Sequence, residues 1–174
     1  THQLIAEVTS HMDRYDLQSA LKPILPFVDD ASNWYVRRSR KRFWKSEDDG
    51  DKKMAYQTLH YVLVQLSKVM APFTPFLSEE LYRNLTGGES VHLLDWPVAG
   101  HVNELAIAHM QATREIIEMG LGARMQKSDT EVSVKVRQPL ALLTYRGQKL
   151  SEELEAIIAE EVNVKQVMCQ SDVD

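Results

Sequence analysis

A chain of 174 residues with 44% apolar and 26% charged side chains has the composition of an ordinary globular protein, with room for one core or for a main domain and a small appendage. It contains no apolar run near the ~20 residues that span a bilayer and no signal-peptide pattern, and its lone Cys169 excludes an internal disulfide, so a cytoplasmic setting is expected. A formal net charge of −5 excludes a globally cationic nucleic-acid binder, and confines any such contact to a local patch.

The chain opens THQLIAEV, without an initiator Met and already in a helical pattern, as expected of a piece of something longer. Leu4, Val8, Met12 and Tyr15 recur at helical spacing with Ile5 beside them, and Asp16 is placed to cap the next segment. From Leu17 to about Lys45, the series Leu25, Val28, Ser32, Val36, Ser39 and Phe43 advances by three or four and marks one stripe on one long helix. Pro23 and Pro26 disturb its first part, so it should kink there or begin in earnest after Pro26. The run SEDDGDK, residues 46–52, reads as a charged connector. A third helix carries Tyr56, Leu59, Leu63, Leu66 and Met70, with Val62 and Val69 beside them, and stops at Pro72. Thr74 and Pro75 then read as the cap and first position of a fourth helix that ends near residue 85, before Gly87 and Gly88.

Residues 89–102, with Pro97 and Gly100, have no helical period and are expected to run extended along the bundle. A fifth helix from Glu104 to about Met125 repeats Leu105, Ala108, Ala112, Ile116, Met119 and Ala123, with Gly120 and Gly122 each weakening it by roughly 1 kcal/mol relative to Ala. The pattern then changes. QKSDTE is a polar loop, Val132, Val134 and Val136 alternate, LALLTY at 140–145 is strand-like, Ser151 caps a short helix with Leu154, Ile157 and Ile158, and VNVKQVM at 162–168 is strand-like again. The expected fold is mainly α: an antiparallel helical bundle over 1–127, followed over 128–174 by a small α/β appendage that ends, as if truncated, where a further strand would pair.

The stretch NWYVRRSRKRFW, residues 33–44, is the most unusual in the chain. At ~100° per residue, Arg37, Arg38, Lys41 and Lys45 share about a quarter-turn, with Arg40 on one flank and Arg42 on the other, all away from Val36, Ser39 and Phe43. No acid occurs between Asp30 and Glu47, and Asp48, Asp49 and Asp51 sit in the following connector rather than at neutralising i+4 positions. The pattern points to an anion-binding face, and guanidinium groups suit bidentate contact with phosphate. Trp34 and Trp44 flank this arc, either as base-stacking platforms or as bundle core with an exposed edge.

Other chemistry is weaker. His2, His11, His60, His92, His101 and His109 have no metal-ligand spacing, so no metal site is expected. Glu79 and Glu80 diverge by ~100° on a helix and fit a helix start better than a carboxylate pair. No GxxxxGK[ST], GxGxxG or GxSxG occurs, so neither a catalytic residue nor a cofactor is expected.

With the helices placed, NWYVRRSRKRFWKSEDDGDK, AYQTLHYVLVQLSKVMAPFTPFLSEELY, ESVHLLDWP and VKVRQPL together resemble the anticodon-binding region of the isoleucyl-tRNA synthetases, in the class I family. The PFTPFLSEELY segment alone is shared more loosely by the valyl, leucyl and methionyl enzymes. The resemblance covers roughly residues 10 to 168. It implies a helical anticodon domain of the class I type followed by the start of a junction domain. It also implies tRNA(Ile) as partner, met by Trp34, Arg37, Arg38, Arg40, Lys41, Arg42, Trp44 and Lys45, together with the catalytic and editing domains of a longer parent. A monomer is expected. The competing expectation is a helical scaffold that holds an acidic protein or an anionic membrane surface through the same cations.

Overall fold

The computed structural model describes residues 1–44, 49–125 and 138–170. They form two compact units, Thr1–Val102 and Asn103–Asp174. The fold class is the expected one, mainly α with a small two-stranded sheet.

The first unit begins with α1 (His2–Met12), whose Leu4, Ile5 and Val8 are buried. Tyr15 does not continue that face. It lies in the turn after α1 in the left-handed region, with φ 58°, and its side chain is exposed. Asp16 caps as expected, its carboxylate accepting the Ser19 N–H at 3.1 Å at the start of α2 (Leu17–Leu21). Hydrogen bonding from Ser19 holds the Asp16 carboxyl below its ordinary range.

The single long helix expected next is in fact a series of segments. The turn holding Pro23 separates α2 from α3 (Ile24–Asp30), which starts between the two prolines. Pro26 is tolerated there because it falls in the first turn, where a backbone N–H has no intrahelical acceptor. A π-helical turn, Ala31–Val36, follows, and then α4 (Arg40–Trp44). The π turn corrects the expected stripe. Its i→i+5 hydrogen bonds take in one residue more than an α turn, so everything before it is rotated relative to everything after. Ahead of it Ile24 is buried and Phe27 packs on the core, whereas Leu25 is 76% exposed and Val28 and Ser32 face solvent. Beyond it, Ser39 and Phe43 are buried as expected.

The connector is also shorter than expected, because α5 (Asp49–Met70) already includes Asp49 and Asp51 in its first turn, where acids favour the helix dipole. Leu66 and Val69 of α5 join Leu4, Ile5, Val8, Ala20 and Ile24 in one core, with Met12, Phe27, Met70, Phe73 and Trp96 against it. α6 (Pro75–Thr86) begins with proline and ends on Gly87, which takes the left-handed cap conformation at φ 68° and donates its N–H to Arg83 O. A 3₁₀ turn, Val91–Leu93, opens the extended connection. That connection is tied to α1 by Trp96 Nε1–H donating to Thr9 Oγ1 at 2.8 Å and by Gly100 N–H donating to His2 Nδ1 at 3.0 Å.

The second unit holds α7 (Glu104–Met125), β1 (Leu140–Arg146), α8 (Glu152–Val162) and β2 (Val164–Gln170). β1 and β2 are parallel, with Leu140 opposite Val164 and Arg146 opposite Gln170, and α8 supplies the crossover that parallel strands require. Ser151 caps α8 by accepting the Leu154 N–H. The alternating Val132, Val134 and Val136 and the QKSDTE loop lie outside the described residues. Within the second unit α7 packs on the elements that follow it. A Cβ at Gly120 would stand 3.1 Å from Leu143 Cδ1 and 3.2 Å from Val162 Cγ2, so this glycine permits close packing of helix against strand. The buried positions of α7 are Thr113, Ile116, Ile117 and Arg124. Of the expected stripe only Ile116 is among them, while Leu105 and Met119 are exposed. Arg124 is 5% exposed and donates Nη1–H to Val162 O at 2.7 Å and Nη2–H to Gln138 O, while its Nε has no partner among the described residues.

Candidate nucleic-acid interface

The basic stretch begins inside the π turn and ends with α4, so the shift in helical phase decides which of its side chains face out. Tyr35, Ser39, Arg42 and Phe43 fall on one face, at i, i+4, i+7 and i+8. Tyr35 O–H donates to Ala55 O at 3.0 Å, Ser39 and Phe43 are buried, and Phe43 stacks on Tyr56. This face is the seat of the segment on α5. Arg37, Arg40, Lys41 and Trp44, at i, i+3, i+4 and i+7, form the opposite face, and all four are exposed.

The eight expected contact residues therefore divide. Arg37, Arg40 and Lys41 stand together with Trp44, which is 73% exposed and is not bundle core. Arg38 and Trp34 are half-buried beside them. The Arg37 guanidinium carbon lies 5.7 Å from the centre of the Trp34 ring, a cation–π distance, and Arg37 Nε–H donates to Asn33 O at 2.7 Å. Both contacts reduce the freedom of a long side chain on the outward face.

Arg42 is tied to α5. Its Nε–H is shared between the two carboxylate oxygens of Asp51 at 3.0 and 2.9 Å, and its Nη2–H donates to Asp51 Oδ1 at 2.6 Å. This hydrogen bonding raises the Arg42 pKa above its ordinary value and holds the Asp51 carboxyl below its own. The expectation that no acid neutralises the arc is thereby corrected for this cation. The partner is supplied across the connector from α5, where no i+4 rule within one helix would find it. Lys45 lies outside the described residues.

The pairing of Asp51 with Arg42 is what sequence reading missed. Asp51 follows Arg42 by nine positions, and that spacing alone carries no signal. Glu79 and Glu80 do diverge. Glu79 Oε2 accepts Ser90 Oγ–H and Val91 N–H, both at 2.9 Å, and Glu80 Oε1 accepts from Asn84 Nδ2. Among the described residues there is no cluster of three or more potential metal ligands, and no helix long and apolar enough to cross a membrane. Chemically, the outward face offers fixed positive charge, which suits phosphate, and an indole plane, which suits an unpaired base.

Known proteins resemble this chain over most of its length. Residues 1–138 match the family model described as the anticodon-binding domain of tRNA ligase. The chain is 42% identical over 175 residues to the isoleucine–tRNA ligase of Chlamydia trachomatis serovar D, an alignment covering 95% of this chain and 16% of that protein. It is 43% identical over 173 residues to the isoleucine–tRNA ligase of Bacillus thuringiensis strain Al Hakam, covering 94% and 16%. With the isoleucine–tRNA ligase of Treponema denticola the identity is 39% over 178 residues, covering 97% and 16%. The chain thus spans about a sixth of the length of these relatives. Its helical architecture, its outward basic and indole face and the family match over residues 1–138 lead to one conclusion: the chain belongs to the family of anticodon-binding domains of tRNA ligases.

Proposed function

We propose that this chain is the part of an isoleucine–tRNA ligase that holds the anticodon arm of tRNA(Ile), acting in the cytoplasm and positioning the tRNA for catalytic and editing domains elsewhere in a longer protein. The observation that carries the reading is the exposed face formed by Arg37, Arg40, Lys41 and Trp44 opposite the buried seat of Ser39 and Phe43. A stem offers closely spaced phosphates to the cations, and a loop offers an unstacked base to the indole. Arg38, Trp34 and Lys45 complete the contact set in this reading. Neither ATP nor isoleucine binds to this chain, because their activation belongs to the catalytic domain.

The test is the charge-reversed variant R37E/R38E/K41E, measured for melting temperature and for tRNA affinity across a salt series. The expected result is an unchanged fold with tRNA binding lost. In the parent chain, log affinity should fall with log salt at a slope near −0.9 for each phosphate neutralised on duplex stem. Affinity that ignores salt, or equal binding by the reversed variant, removes this face from the interface. Heparin and anionic vesicles at the same salt concentration distinguish tRNA recognition from attraction to any polyanion or membrane.

A further inference from the structure

We infer that Arg42 is a strut rather than a phosphate ligand, and that Asp51 is a positioning residue for the RNA-binding face. This rests on the anticodon-arm reading above and adds to it a division of labour among the cations.

Three observations carry the inference. First, Arg42 belongs by helical phase to the face of Tyr35, Ser39 and Phe43, which is seated on α5, and not to the face of Arg37, Arg40, Lys41 and Trp44. Second, three side chains of the described residues tie this seat to the first two turns of α5. Arg42 meets Asp51, Tyr35 meets the carbonyl of Ala55, and Phe43 meets the ring of Tyr56. Third, the Arg42–Asp51 contact is a fork, with two guanidinium nitrogens donating to one carboxylate. A fork fixes the plane of the guanidinium as well as its position, which a point contact does not.

The described residues of α4, Arg40–Trp44, are held to α5 by these ties. Of the three, the Tyr35 hydrogen bond lies ahead of α4 and the Phe43 stack is a packing contact that leaves rotation about the helix axis soft. The fork restrains that rotation. Through it, the direction in which Lys41 and Trp44 point is set by a carboxylate on the neighbouring helix. Arg42 and Asp51 side chains are 39% and 35% exposed, and an ion pair at that exposure adds little to global stability. Its effect is therefore read in RNA binding rather than in melting.

The experiment uses the whole chain and an unmodified tRNA(Ile) transcript, with Asp51→Asn and Arg42→Lys as separate variants. Arg42→Lys keeps the charge and removes the fork. Asp51→Asn removes the carboxylate and leaves every cation in place. The expected result is a several-fold loss of affinity in both, with the slope of log affinity against log salt unchanged, because no phosphate contact is lost. A folding defect would lower the melting temperature, which both variants should preserve.

The inference is overturned if Asp51→Asn binds more tightly with a slope steeper by about 0.9, since Arg42 would then be a phosphate ligand held back by Asp51. Affinity equal to the parent's in both variants overturns it as well. Absence of salt-dependent tRNA binding in the parent chain overturns the anticodon-arm reading, and this inference with it. Normal parent binding with either of the two preceding results overturns the strut alone.

Discussion

The Phe43 and Tyr56 rings meet between α4 and α5 with centroids 4.9 Å apart and planes inclined by 42°, while the next residue, Trp44, is turned out to solvent. Two adjacent aromatic residues thus sit in opposite environments. One holds the helix to its support and the other faces solvent.

Phe43→Ala should therefore lower the stability of the chain by on the order of 3 to 5 kcal/mol, the usual cost of emptying a buried aromatic site. Trp44→Ala should change stability by no more than about 0.5 kcal/mol, as for exposed positions generally. If Trp44 stacks on a base, the same substitution weakens tRNA binding by about 1 to 3 kcal/mol. Urea denaturation and tRNA titration of both variants in one buffer check the contrast, which fails if Trp44→Ala unfolds the chain or leaves affinity intact.

The two glycines near the end of α7 should respond oppositely to substitution. At Gly122 an added Cβ meets nothing within 4 Å, so Gly122→Ala should stabilise by up to about 1 kcal/mol through helix propensity. At Gly120 the space is occupied by Leu143 and Val162, so Gly120→Val should destabilise by about 1 to 3 kcal/mol through overpacking. Thermal melts of the two variants should move in opposite directions.

Tyr145 is buried in β1, donates its O–H to Glu155 Oε1 at 2.9 Å and accepts the Leu150 N–H at 2.9 Å. Burial, and then donation to Glu155, push its pKa from an ordinary 10.0 up to about 12. A raised pKa means that the fold favours the neutral phenol. The corresponding stability is fully present below pH 10.0 and is lost as the pH rises from there through about 12. Alkaline unfolding should coincide with the appearance of one late phenolate absorbance, and Tyr145→Phe should remove both the late absorbance and this part of the pH dependence.

Glu79 behaves in the reverse sense. The Val91 N–H, and after it the Ser90 hydroxyl, hold its carboxyl below the ordinary 4.5. A depressed pKa favours the carboxylate in the fold, so its contribution is present above pH 4.5 and is lost as the pH falls below it. Glu79→Gln should flatten the melting temperature over the acid limb, between about pH 5 and pH 3. An acid limb as steep as the parent's would show that this carboxylate does not anchor the Val91–Leu93 turn.

What was legible in the sequence was whatever depends on near neighbours along the chain. Asp16, Pro75, Gly87 and Ser151 mark helix ends because a cap or a left-handed turn is a local geometric demand, and all four do so in the fold. The basic and aromatic stretch, and with it the family, is likewise a property of consecutive residues. The tertiary structure decided the rest. A stripe drawn at a uniform ~100° per residue runs through Leu25 and Val28, but the π turn at Ala31–Val36 displaces the core by one residue to Ile24 and Phe27. The pairing of Arg42 with Asp51 has no signature in the sequence and is made by the packing of α4 on α5. Likewise, Arg124 near the end of α7 is buried with the Val162 and Gln138 carbonyls accepting from it, partners that lie far along the chain. Helical phase accumulates over every intervening residue, and pairing between two helices depends on how they pack, so neither can be read from a window shorter than the fold itself.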